Sequence, residues 1–294
     1  MGIGCEPWPA CYGRIQTAAP STQTRSANNN ATSVKVARLL HRAAAMTVAI
    51  LAVLTLLLGL TGSVRNVRNA SLVASIVALT AMLAAVGRMS ATLLVPAVGV
   101  TNLLGGFGLL ACFWALYRTN CNDVPLAGSA KRVRCIAGFM LLVFALHAAV
   151  GALISVTYSA DVCPSLWICT AAQEPGHSRD LNLFEAQPLD VGGKVIAAPA
   201  AASMQTTHRV LGVASAALFA LFGLWLVRFP ALRMRGVVLL ALALIEGGIG
   251  IVMAAHGFPL LAAITHNAVA ASLLLVLVGL VWPRTSPSVH ARSD

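Results

Sequence analysis

Apolar runs long enough to cross a bilayer recur along this chain, and that recurrence limits the possible folds more than any other feature. As a helix, about twenty residues cover about 30 Å of hydrocarbon. There every backbone N–H and C=O must find its partner inside the spanning structure itself. The polar interruptions fall too far apart for a membrane barrel, whose strands alternate over about ten residues. With 58% hydrophobic and 10% charged residues, the chain reads as all-α, a polytopic transmembrane helical bundle in a lipid bilayer. Seven spans are expected, near 36–61, 70–87, 93–117, 135–157, 205–228, 234–254 and 259–282.

The formal charge of +11 does not imply nucleic acid, because the basic residues sit at the ends of apolar runs. Arg65 and Arg68, then Arg118, Lys131, Arg132 and Arg134, then Arg228, Arg233 and Arg235, and finally Arg284 and Arg292 share one side if the helices alternate. The positive-inside rule makes that side the cytoplasm, with the C-terminus there. The long opposite loop, 158–204, is acidic: Asp161, Glu174, Asp180, Glu185 and Asp190 outnumber Arg179 and Lys194. A multi-pass protein of a bacterial inner membrane is expected. The polar tail 1–35 then lies outside, although nothing apolar precedes it to carry it across. This predicts an eight-helix parent with one further span before Met1.

Such a parent divides into two four-helix halves, 1–130 and 131–294 here, and motifs recur between them. Cys5 and Cys11 precede His41-Arg42, and Thr101-Asn102 follows. Cys163 and Cys169 precede His208-Arg209, and Thr265-His266 follows. The cysteine spacing is the same in both, and Pro96 and Pro259 open the corresponding later helices. Parallel internal repeats of this kind build many membrane bundles.

A histidine and an arginine at the head of a membrane helix are unfavourable in lipid and must face the bundle interior or water. His208 and His266 fall at similar depth, and two neutral imidazoles from facing helices suit the axial positions of a haem iron. Arg209 beside them suits a haem propionate. Hydrogen-bonded histidines packed in the bundle are the plainer alternative. In the first half, His41-Arg42 repeats the pattern while Asn102 occupies the partner position. An amide ligates iron poorly, so this half holds haem through one axial ligand, without ligation, or not at all.

Each external cysteine pair is read as a disulfide-closed loop. Zinc fits poorly, since His177 is the only other soft ligand nearby and no four-residue set has zinc spacing. Cys112, Cys121 and Cys135 are expected to be reduced and buried towards the cytoplasmic side. His147 is read as a packed, hydrogen-bonded residue near mid-membrane, and His256 as a solvated loop residue. Glu246, the sole carboxylate inside a span, is either a proton carrier or a neutral hydrogen-bonded acid.

CEPWPACYG followed by LLHR, and CPSLWIC followed by TTHR and THNA, resemble the haem A synthase family of cytochrome oxidase assembly proteins over essentially the whole chain. The resemblance implies eight helices in two related halves, with the first helix lacking here. It implies oxidation of the C8 methyl of haem O, the substrate, to the formyl group of haem A, with haem O synthase and a membrane electron acceptor as partners. By the same resemblance, His208 and His266 ligate a haem b cofactor. His41 then serves the substrate-haem site below the Cys5–Cys11 loop, flanked by Arg42. Two positions depart from the family pattern: Asn102 stands where a second histidine is usual, and Arg38 where many members carry glutamate. An arginine cannot accept a proton as a carboxylate does. These departures keep open a second reading, a non-catalytic haem-b-binding assembly factor or electron-transfer cytochrome.

Overall fold

The computed structural model describes residues 26–63, 67–90, 94–120, 130–160, 162–163, 165–166, 169, 182–191, 195–198 and 200–282. Among these, seven helices are long and apolar enough to span a membrane. They are α1 (Ser26–Leu58), α2 (Val67–Ser90), α3 (Pro96–Asn120), α4 (Ala130–Val156), α5 (Ala201–Val227), α6 (Arg233–Ala255) and α7 (Leu260–Val281). All seven expected spans are present. α1 begins earlier than expected, and it ends in a short π-helical turn, Gly59–Ser63.

Leucine, alanine and valine dominate the helices, and in hydrocarbon the intrahelical hydrogen bond is the local way to satisfy each peptide group. Proline marks two starts. Pro96 is the first residue of α3, where its missing N–H is not needed. Pro259 is the N-cap of α7. Interior Ser and Thr hydroxyls bond back one turn, as Thr265 Oγ1 does to Leu261 O at 2.8 Å.

α4, α5, α6 and α7 close a ring, each packing on the next and α7 returning to α4. α5 and α7 therefore stand diagonally across the bundle axis. The core within the ring includes Phe144, Phe219, Phe222, Leu239, Leu273 and Leu277. The closest helix pair is α5 and α6, and glycine is the cause. A Cβ at Gly223 would sit 2.8 Å from Gly236 O, and one at Gly236 would sit 2.6 Å from Gly223 O. The two backbones touch where neither has a side chain. α1 packs on α2 and α2 on α3, and α3 then joins the ring against α4 and α7. A smaller core of Ala52, Ile76 and Leu109 holds these three helices together. Outward-facing Leu142, Leu221, Leu244 and Ile264 are exposed, as a surface solvated by lipid requires.

The expectation for the internal cysteines needs correcting. Cys112 is half-buried and Cys135 is exposed on α4. A thiol is weakly polar and tolerates an apolar surround, so burial in the protein is not required of it. Cys121 lies outside the described residues.

Candidate functional site

Each helix of the ring brings one polar side chain to a common level: His147 from α4, His208 from α5, Glu246 from α6 and His266 from α7. All four are half-buried and lie within three turns of the same end of the bundle.

The pairing of α4 with α5 sets the first contact. His147 and Gly151 occupy one face of α4, and His208 and Gly212 one face of α5. The helices run antiparallel in a register that puts each histidine against the other helix's glycine. A Cβ at Gly151 would lie 2.9 Å from His208 Cε1, and one at Gly212 would lie 3.5 Å from His147 Nε2. The two rings stand 4.4 Å apart between centroids, tilted by 38°. On its far edge, His147 Nδ1 is 3.1 Å from Ser215 Oγ.

The second contact crosses the bundle. His208 and His266, on the diagonal helices, have ring centroids 6.4 Å apart and planes 79° to one another. His266 Nδ1 is 3.2 Å from Glu246 Oε1. That is an ion-pair distance without hydrogen-bond alignment. His147 Nε2, His208 Nδ1 and Glu246 Oε2 are enclosed without hydrogen-bond partners. Buried polar atoms are normally satisfied, so a concentration of such atoms in one layer calls for an explanation.

Next to this layer the loop between α4 and α5 is fastened to the helix ends. The sulfurs of Cys163 and Cys169 meet, with Cα atoms 4.3 Å apart. Arg209 Nη1 donates to Ser165 O at 2.9 Å and to Leu166 O at 2.8 Å, both carbonyls inside that cysteine loop. Buried Gln205 donates to Ser159 O at 3.2 Å and Ala160 O at 2.9 Å. Gln187 from the same loop donates to Val156 O at 2.8 Å. Burial also raises the pKa of Tyr158 at the end of α4, keeping its phenol neutral.

In the first three helices, His41 and Arg42 are exposed on α1, whereas Asn102 is half-buried on α3. Cys5 and Cys11 lie outside the described residues, as does the side chain of Arg38. His256 caps α6 and is exposed, in keeping with a solvated residue. The sequence singled out His208 and His266, but it left His147 and Glu246 as bundle residues of open role. The signal available was a repeated spacing, HAAVG at 147–151 and HRVLG at 208–212.

Residues 1–278 match the family COX15-CtaA, described as cytochrome oxidase assembly protein. The chain belongs to the haem A synthase family. The heme A synthase of Shewanella oneidensis is 26% identical over 299 residues, covering 97% of this chain and 90% of that protein. The stretch matched to the haem A synthase family contains all four residues of the polar layer, both cysteine pairs, and His41 and Asn102. With seven apolar helices among its described residues, this haem A synthase relative is a multi-pass membrane protein. Among the described residues no group of three or more His, Cys, Asp or Glu is arranged to hold a bare metal ion. A haem asks less of the protein, because its macrocycle supplies the equatorial ligands and leaves two axial positions.

Proposed function

We propose that this chain is a haem A synthase-type oxidoreductase. It binds one haem b between His208 and His266 and oxidises the C8 methyl of haem O to a formyl group. The distance between the two rings carries this reading. Imidazoles on opposite faces of one iron, each at the usual imidazole–metal distance of about 2 Å, bring their ring centres to about 6 Å. The His208 and His266 rings stand 6.4 Å apart across the bundle axis.

In this reading the two halves, 1–130 and 131–294, divide the work. The second half holds the cofactor, and bound haem b supplies one-electron redox chemistry. His208 and His266 would hold the haem, and the Glu246 carboxylate lies 3.2 Å from His266 Nδ1, where it would orient that ring. Arg209, tied to the loop carbonyls, adds positive charge at the outer edge for a propionate. The Cys163–Cys169 bridge keeps that loop closed over the layer. The first half receives haem O, with His41 and Arg42 at the start of the apolar span of α1 and the Asn102 amide on α3. Conversion of the methyl to the formyl group takes its oxygen from water and releases four protons and four electrons, and a membrane electron acceptor receives the electrons. The cysteine loops face outward and the C-terminus the cytoplasm.

The residues at 102 and 38 favour one competing reading. Asn102 replaces an imidazole by an amide, and Arg38 offers no basic carboxylate. The competitor is a haem-binding assembly factor or electron-transfer cytochrome that keeps only the His208/His266 site. The test begins with the optical and EPR spectra of purified protein. Low-spin haem lost in both His208→Ala and His266→Ala supports the site, and its persistence in either removes the proposal. Expression in a cell lacking its own synthase then separates the two readings. Restored haem A supports the enzyme, and haem binding without restored haem A leaves the assembly factor.

A further inference from the structure

At the end of the bundle away from the polar layer, α7 packs on both α3 and α6. The last two turns of α3 and of α7 and the first turns of α6 enclose a pocket of about 190 Å³ there. Trp114 and Arg118, four residues apart on α3, form one wall. Arg235 and Val238 on α6 form the other, and Val276 and Gly279 on α7 line the floor. Met234 and Val238 are exposed apolar side chains, so the pocket opens on the surface that lipid covers.

The side-chain nitrogens that line it are all donors: one indole N–H and two guanidinium groups. Arg118 is only 7% exposed. Two guanidinium groups brought to one partly dry pocket lose hydration and repel one another. Gly279 O takes one of the five N–H groups of Arg118, at Nη2, across 3.4 Å. Trp114 Nε1 is enclosed and has no hydrogen-bond partner, and a buried donor is normally matched. No carboxylate stands among the described residues lining the pocket. A Cβ at Gly279 would lie 3.4 Å from Trp114 Nε1 and 3.8 Å from Arg118 Nε. The missing side chain lets both donors lie over the α7 backbone.

We propose that this pocket binds the phosphate of an anionic phospholipid, held by Arg118, Arg235 and the Trp114 N–H. A phosphate diester offers acceptor oxygens and a negative charge, the complement of this donor set. Basic pockets between transmembrane helices take anionic lipid headgroups for the same reason. The apolar part of the lining selects a lipid over a free phosphate ion. Val238 lies about one turn deeper than Arg235, and Val276 about one turn deeper than Gly279, which leads from the charged end towards hydrocarbon. A lipid seated there bridges α3, which packs with α2, to α6 and α7 of the ring. The site stands at the other end of the helices from His208 and His266 and is independent of the haem they are proposed to bind.

The experiment follows thermal unfolding of the purified full chain in neutral detergent with phosphatidylglycerol, phosphatidylcholine or inorganic phosphate added. Native mass spectrometry of the same samples counts retained lipid. Phosphatidylglycerol should raise the unfolding temperature and stay bound, whereas the other two at equal concentration should do neither. Arg235→Gln should weaken phosphatidylglycerol binding about fivefold or more. Trp114→Phe keeps a ring against Tyr117 but removes the N–H, and should weaken binding by less. Arg132→Gln is the control, since Arg132 is exposed on α4 and does not line this pocket; binding there should match wild type. A wild type indifferent to phosphatidylglycerol overturns the inference, as does an equal response to phosphatidylcholine. Full stabilisation by inorganic phosphate alone makes this an anion site and refutes the lipid. Equal loss in Arg132→Gln and Arg235→Gln reduces the effect to general surface charge and also refutes it. If Arg235→Gln fails to insert, Trp114→Phe decides the matter, and unchanged binding in that variant overturns the assignment.

Discussion

Gly151→Ala is a small change with a large expected effect, because of where the added methyl points. Its Cβ would lie 2.9 Å from His208 Cε1, 3.5 Å from Nδ1 and 3.7 Å from Nε2. Ordinary carbon contacts begin near 3.5 Å, so the imidazole must retreat by about half an ångström. Metal–ligand distances tolerate about 0.2 Å. The strain of overpacking is about 1–3 kcal/mol, against about 0.5–1 kcal/mol gained by replacing a mid-helix glycine with alanine. The fold should therefore lose little stability while the iron site loses much. The expected result is haem content lowered about 10–100-fold, as when an outer partner of a metal ligand is removed. The low-spin spectrum should weaken while helical content by circular dichroism stays unchanged. Gly248→Ala is the control, since no atom lies within 4 Å of a Cβ there. The assay is haem per protein by pyridine haemochromogen, with EPR on the same samples. Equal haem and equal spectra in Gly151→Ala and Gly248→Ala would refute the placement of His208 against α4.

Two further outcomes are expected. In Gly223→Ala the new Cβ would meet Gly236 O at 2.8 Å and Leu240 N at 2.9 Å. Backbone cannot swing aside as a side chain can, so stability in detergent should drop by about 1–3 kcal/mol or more. Thermal unfolding matching that of Gly248→Ala would contradict this account of the α5–α6 contact. Cys163 and Cys169 should resist an impermeant thiol reagent in intact cells and label only after reduction. Immediate labelling of either would mean that the loop is not closed by a disulfide.

The number of helices and their approximate limits were legible in the sequence, because hydrocarbon leaves the backbone few alternatives and run length alone selects spans. The inward placement of His208 and His266 was legible for a related reason: an ionisable side chain in such a run is unfavourable facing lipid, and the two rings do face one another inside the bundle. Their companions were not. A helix apolar on every face carries no stripe to show which side meets a neighbour. Nothing in the periodicity of α4 could announce that His147 stacks on His208, nor in that of α6 that Glu246 reaches His266. Those contacts depend on the ring order α4, α5, α6, α7 and on the antiparallel register that sets His147 against Gly212 and Gly151 against His208. Arg209 shows the same division. Its position at the head of α5 was plain, but only the folded loop provides the Ser165 and Leu166 carbonyls that hold it. Solvent chemistry fixed which segments cross the membrane, whereas packing between particular helices decided which polar groups meet inside it.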